Sequence, residues 1–193
     1  MLVKAANMIT TGFANGQTYE NIVQNADEYA VRYIISFANS IATLAQQVCD
    51  GSLEFQKFKN LNPYGNLPEV VQRELDNLIR TNGKRNVIDS VKSFVIGSYQ
   101  IPSNYVPVSS DEYKKSQNLV DKINQGLIAS YYDCDYRTAK INAEHDLRAK
   151  ELMYKGSNPF NDGRTLASIE ASRIEQLGQL EQEFSADRTA RGR

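Results

Sequence analysis

The sequence predicts a mainly α fold: a helical bundle with long amphipathic helices, a less regular middle insertion and a C-terminal helical arm. Three observations carry that prediction. Apolar residues recur at spacings of three and four over long stretches, as on one face of an α-helix. Clusters of glycine, proline, asparagine and aspartate cut the chain between those stretches. A helix-start signal, Ser109 with Glu112 three residues on, stands at the head of one of them.

The 193 residues suffice for one good core and an added arm, not for two full domains. We expect residues 1–155 to form the bundle core, with the insertion at about 52–108, and residues 156–193 to form a linker and arm. A net charge of −1 with 23% charged residues advertises neither nucleic acid nor an anionic membrane through a sign-biased field. The longest apolar runs, such as Val31 to Phe37, fall far short of the ~20 residues that span a bilayer. No basic stretch precedes an apolar one at the N-terminus, so no secretory signal is expected. Cys49 and Cys134 lie far apart on expected helix ends and read as buried or free thiols in a reducing compartment rather than as a disulfide. One histidine and two separated cysteines cannot build a tetrahedral zinc site, and no metal or cofactor is expected.

In chain order, Leu2–Ile9 reads as a short apolar helix that breaks at Gly12 and Asn15-Gly16. A long helix follows over Asn21–Cys49, with Val23, Ala26, Ala30, Ile34, Phe37, Ile41, Leu44 and Val48 on one stripe. Asp27, Glu28, Arg32, Asn39 and Gln46 fall largely off that stripe. Such a helix is about 42 Å long at the α-helical rise. Asp50-Gly51 stops it, because glycine accepts positive φ. Ser52–Asn60 reads as a short helix with Leu53, Phe55 and Phe58 inward, and Asn62–Asn66 as a loop. Pro68 fits the first turn of a helix that runs to Asn82-Gly83 with Val71, Leu75 and Leu78 on one face. Asn86–Ile96 fits a helix through Val87, Ile88, Val91 and Phe94, while Phe94-Val95-Ile96 also suits the start of a strand. Pro102 and Pro107 make Gly97–Val108 a loop or extended arm.

Ser109 and Glu112 form a capping box that opens a helix over Ser110–Tyr132, with Val120, Ile123, Leu127 and Tyr131 inward. Asp133 or Asp135 caps the next helix, which ends at Lys155 and carries Tyr136, Ala139, Ala143 and Leu147 on one face. Turns at Gly156–Pro159 and Asn161-Asp162-Gly163 precede a last helix from Thr165 to about Asp187. Its stripe is Leu166, Ile169, Ile174, Leu177, Leu180 and Phe184, and Arg188, Arg191 and Arg193 follow. A stripe on a tethered terminal helix needs a partner, either its own core or another chain.

Few residues here are arranged for chemistry. Glu144-His145-Asp146 are consecutive on a helix and point in different directions, so they read as a solvated face rather than a metal or acid–base set. The aspartates around Cys134 raise a thiol's pKa and oppose nucleophilic use. Neither a phosphate-binding glycine loop nor a GxSxG elbow occurs. With no nucleophile–base pair or metal set in local motifs, we expect no enzyme. Asn82–Arg85 is a basic turn that reads first as a solvated helix end and second, through Lys84 and Arg85, as a contact to nucleic-acid phosphates. Tyr64, Tyr99 and Tyr105 lie in expected loops; Tyr99 and Tyr105 suit either an interface or ordinary loop packing.

The order of elements resembles the head-to-tail adaptors of short-tailed bacteriophages, also called tail accessory factors or tail tubular protein A. One match is Leu2–Gly12, a short helix ending in glycine, followed by a loop and a long helix containing Asn25-Ala-Asp-Glu-Tyr-Ala-Val-Arg32 that closes at Asp50-Gly51. The other is Asn118–Gly156, where a helix ends in Tyr131-Tyr132 and the next closes with Arg148–Lys155. These stretches cover about half the chain; Ser52–Ser109 matches nothing in the family, and a strongly helical C-terminal segment departs from its extended one. The resemblance implies a virion protein made in the host cytoplasm, a ring, dodecameric by analogy, that self-associates beneath the portal protein. It would extend the DNA channel, with Lys84 and Arg85 facing it, and offer Tyr99 and Tyr105 to tail (nozzle or fibre) proteins. Leu166, Ile169, Ile174, Leu177, Leu180, Phe184, Arg188 and Arg191 would contact the portal or another partner. No membrane partner is implied. The alternative is a soluble helical scaffold or regulatory module that binds a partner helix through the same C-terminal stripe.

Overall fold

The computed structural model describes residues 26–82, 85–101, 105, 108–126, 133–156 and 162–192. Within them the protein is built of helices: α1 (Ala26–Cys49), α2 (Phe55–Lys59), α3 (Asn62–Gly65), α4 (Glu69–Asn82), α5 (Ile88–Gly97), α6 (Ser110–Asn124), α7 (Asp133–Lys155) and α8 (Leu166–Arg191). No strand occurs among the described residues, so the mainly α expectation holds. The expected helix at Leu2–Ile9 lies outside them.

The chain divides into two compact units. The first comprises the residues up to Pro107 together with Lys155–Asp162; the second comprises Val108–Tyr154 and Gly163–Arg193. This redraws the expected plan of a 1–155 core with a 156–193 arm. The long helix α1 takes its core from the middle segment, packing along α5 and against α2, α3 and α4. Residues 52–97 are therefore the partner of α1 rather than an irregular insertion.

In the first unit, α1 ends as expected. Gly51 has φ of 81°, and the N–H groups of Gly51 and Ser52 donate to the carbonyls of Val48 and Gln47 at 3.2 and 3.0 Å, which satisfies the open end of the helix. The buried face is not the expected stripe. Ile34 and Ile41 are buried, but Phe37, Leu44 and Val48 are half-buried, and Tyr29, Val31, Ile35, Ala38, Ala42 and Ala45 do the packing. Helix α5, carrying Val91, Val95 and Ile96, packs along α1, whose buried face includes Ala38, Ala42 and Ala45. Asn86–Ile96 resolves in favour of a helix, α5. Its start is fixed by Gln46, whose side-chain oxygen accepts from the Val87 N–H at 2.8 Å. The expected loop at Asn62–Asn66 is instead a single helical turn, with Pro63 near its head where no amide hydrogen is needed. Tyr64 on that turn is buried and donates its hydroxyl to Asp76 at 2.9 Å. Burial and this contact push its phenol up to about 12. On α4, Val71 and Leu75 are buried as expected, joined by Ile79, while Leu78 is half-buried.

The second unit is three helices in antiparallel succession. Along the α6–α7 seam Tyr113 stacks on Tyr154 at 4.7 Å, Ser116 meets Asp146 and Lys150, and the Tyr136 hydroxyl donates to the Ile123 carbonyl at 3.1 Å. As the α6 numbers rise, the α7 numbers fall. The capping box at the head of α6 is present in both directions: Glu112 N–H donates to Ser109 Oγ at 3.2 Å, and Ser109 N–H to Glu112 Oε2 at 3.0 Å. The helix is shorter than expected. It ends at Asn124 because Gly126 turns the chain with φ of 68°, so the aromatic pair Tyr131-Tyr132 lies beyond α6 and outside the described residues. Ile123 is buried and Val120 half-buried, as expected for the α6 face. On α7, Ala143 is buried, Tyr136 and Leu147 are half-buried and Ala139 is exposed.

Candidate functional site

The α7–α8 seam is tied together by polar side chains. His145, expected on a solvated face, is 2% exposed. Its Nδ1 lies 2.7 Å from the Ile141 carbonyl, which can only accept, so Nδ1 carries the hydrogen. Its Nε2 then accepts from the Ser172 hydroxyl at 3.2 Å, and Arg148 lies 3.5 Å from the same nitrogen. Gln176 donates to Ser172 in turn at 3.2 Å. A serine and a histidine at this separation have the spacing of a nucleophile and its base. The imidazole, however, is enclosed by packed helices, and a reacting carbonyl has no approach to it. The pair therefore joins α7 to α8 rather than serving chemistry.

Two further links run along the seam in antiparallel order. Arg173 donates to Asn142 at 3.0 Å, and Arg137 pairs with Glu183 at 3.0 Å while its guanidinium sits 5.9 Å over the Phe184 ring. Arg173 also bonds Glu170, and that hydrogen bond holds the exposed Glu170 carboxyl below its ordinary value. A groove of about 570 Å³ opens between the two helices, lined by Tyr136, Lys140, Glu144, Gln176 and Gln179 among others. It carries both charge signs, and neither His145 nor Ser172 lines it.

The residues expected to contact the portal or another partner divide between this seam and solvent. Ile169 and Leu180 are buried, and Leu166, Leu177 and Phe184 are half-buried. The stripe on α8 is thus largely covered by its own unit, which answers for most of it the choice between its own core and another chain. Ile174 alone of the stripe is outward, at 58% exposure. Arg188 and Arg191 are exposed, Arg191 paired with Asp187 at 3.0 Å. The helix opens on a capping box the sequence reading did not name: Thr165 accepts from Ser168 N–H at 3.0 Å, and Ser168 Oγ accepts from Thr165 N–H at 2.8 Å.

The first unit holds a different surprise. Glu28 and Arg32 are 3% and 0% exposed, although the periodicity put them off the apolar face. Arg32 donates to Glu28 at 3.3 Å and lies 3.8 Å from Asp162. Burial pulls its guanidinium down from the ordinary value, and the two carboxylates oppose that pull. Close by, Asn39 donates its side-chain amide to the Lys155 carbonyl. Gly156, at φ of 63°, lies so near α1 that a Cβ would fall 2.5 Å from the Arg32 carbonyl. Periodicity could not find this set, because a charged residue on a helix is scored as outward and its partner, Asp162, is distant in sequence.

Tyr99 and Tyr105 are half-buried rather than projecting. Burial raises both phenols, helped by Tyr33 for Tyr99 and by Glu28 and Asp27 for Tyr105. Arg85 is exposed; Lys84 lies outside the described residues. Cys49 is a free, half-buried thiol pushed up by burial and by Asp50, which opposes reactivity. The Cys134 side chain lies outside the described residues. Among those described, no cluster of acids, histidines and cysteines is placed to hold a metal ion. No described helix is long and apolar enough to cross a membrane.

No protein-family model, curated protein or solved structure matches this chain. Its functional reading therefore rests on its own residues and on the resemblance they carry.

Proposed function

We propose that the chain is a non-enzymatic assembly protein of a virion, a ring-forming adaptor between the portal and the tail that extends the DNA channel. The observation that carries this reading is the order of helices, which resembles that of those adaptors, and the outer face of α8 offers it a contact surface. Only Ile169 and Leu180 of this 26-residue helix are buried, yet Ile174 stands at 58% exposure on the side turned from the seam. A lone exposed apolar residue is ordinary on a protein surface, and Val70 is more exposed still, so Ile174 supports the reading only alongside the helix order. Repeated around a ring, a weak contact of this kind gains avidity, and closed symmetry leaves no interface unpaired.

The portal contact in this reading is the outer α8 face around Ile174 and the exposed end at Arg188 and Arg191, not the whole apolar stripe. The alternative, a scaffold module that receives a partner helix, would use the same face but needs no ring. Native mass spectrometry of the protein alone and mixed with a portal ring separates the two. A ring-sized complex on the portal supports the adaptor. A monomer or dimer indifferent to the portal leaves the scaffold reading and removes the adaptor.

A further inference from the structure

We propose that Phe55, Lys59 and Arg80 form a binding surface for the phosphate backbone of a nucleic acid strand. The surface lies wholly in the first unit and does not depend on how α8 is used. Lys59 Nζ and the Arg80 guanidinium carbon lie 5.4 and 5.5 Å from the centre of the same Phe55 ring. The ring therefore meets two cations, α2 supplying one and the last turn of α4 the other. Phe55 is itself held by Phe58, at 6.4 Å between ring centres, and Phe58 is fully buried.

The two cations differ in what already occupies them. Lys59 shares Asp76 at 3.4 Å with the Tyr64 hydroxyl, so that carboxylate is engaged from two sides and only 16% exposed. Arg80 is exposed and has no carboxylate partner among the described residues. A guanidinium held over an aromatic ring by cation–π attraction can still meet a phosphate with two parallel hydrogen bonds. Lys57, on the same short helix, pairs only with exposed Glu54 at 3.5 Å, a contact that water largely screens. Arg85, just past α4, is exposed as well.

A plainer account is that basic residues in the last turns of α2 and α4 offset the helix dipoles. That accounts for their positions in sequence but not for two cations converging on one ring. A nucleic acid strand suits the pair better than an acidic side chain does. A strand carries a charge at every nucleotide, so it can reach both cations together, whereas a single acidic side chain, as Asp76 does with Lys59, reaches one.

The test is a two-dimensional ¹H–¹⁵N NMR titration of the full chain with a short DNA duplex and with oligo-dT, repeated at low and raised salt. We expect the Phe55, Lys59 and Arg80 signals, including Arg80 Nε–H, to move together and the effect to fade with salt. Arg80→Glu should keep the dispersed spectrum and weaken binding about tenfold. Arg80→Gln, which keeps hydrogen bonding without the charge, should lower the salt slope by about 1. Stationary signals at these residues overturn the proposal, as do shifts that both variants leave unchanged. Equal competition by polyglutamate would assign the surface to a carboxylate polyanion and overturn it too.

Discussion

Arg32 lies 3.3 Å from Glu28, one turn earlier on the same helix, and neither side chain meets solvent to any extent. Because both charges are desolvated, each depends on the other. We expect Arg32→Ala to destabilise the protein by about 3–5 kcal/mol, since it strands the Glu28 carboxylate in the core. Replacing both together, as Glu28→Gln with Arg32→Met, should cost less, because the buried Glu28 charge goes with its partner and Asp162, the other carboxylate beside Arg32, keeps contact with water. Urea denaturation of the three proteins decides it. If the single variant costs no more than the double, the pair is not the unit described.

Gly156 and Gly51 both need positive φ, at 63° and 81°, but only Gly156 is crowded. Alanine at either site bears the cost of a left-handed residue, about 1–2 kcal/mol. At Gly156 the added Cβ would also collide with the backbone of Arg32, Ile35 and Ser36, which cannot rotate away. Gly156→Ala should therefore lose clearly more than Gly51→Ala in chemical denaturation. Equal losses would mean that the Lys155–Gly156 segment is not seated on α1.

Burial draws Lys92 down to about 8, against an ordinary lysine value of 10.5, while Asp89 partly restores it. Between these values the unfolded chain binds a proton that the folded chain has released, so stability rises with pH across that window. Below about pH 8 both states hold the proton and the penalty for burying the charge is fully present. We expect thermal melts to show stability climbing from pH 8 toward 10, and Lys92→Met to remove the climb. Tyr64 acts in the opposite sense, since its phenol stays protonated in the fold up to about 12 and stability falls above pH 10. An unchanged pH profile in the Lys92 variant would refute the assignment.

Much of this architecture was legible because local chemistry acts through neighbours in sequence. The Asp50-Gly51 stop, the Ser109–Glu112 capping box and the mainly α class all read correctly. What periodicity missed were polar groups turned inward and held by distant partners, namely Arg32 by Asp162, His145 by Ser172 and Gln46 by the Val87 amide. The early end of α6 at Gly126 was missed because an isolated glycine in an apolar pattern carries no sign of its φ. The stripe on α8 was read correctly as needing a partner, but a linear pattern does not say whether that partner is the same chain.

Removing α8 by a stop after Gly163 tests that answer. The cut exposes whatever Ile169 and Leu180 cover and leaves His145 without Ser172. Hydrogen exchange should show α6 and α7 losing protection while α1 and α5 keep theirs. Full protection of α7 in the truncated chain would mean that α8 contributes nothing to its unit.

Ile174 separates stability from assembly. At 58% exposure its side chain gives little to the fold, so Ile174→Asp should change stability by no more than about 0.5 kcal/mol. If the outer face of α8 is the contact surface, a carboxylate there is desolvated at every copy of a ring, and the cost repeats around it. Rings and portal-bound complexes seen by native mass spectrometry should then disappear while the monomer melts as before. Ile169→Asp is the opposing case: that residue is buried, so the monomer itself should be destabilised. Rings that persist in a well-folded Ile174→Asp protein would remove this face from the interface and leave the exposed end at Arg188 and Arg191 as the surface to test next.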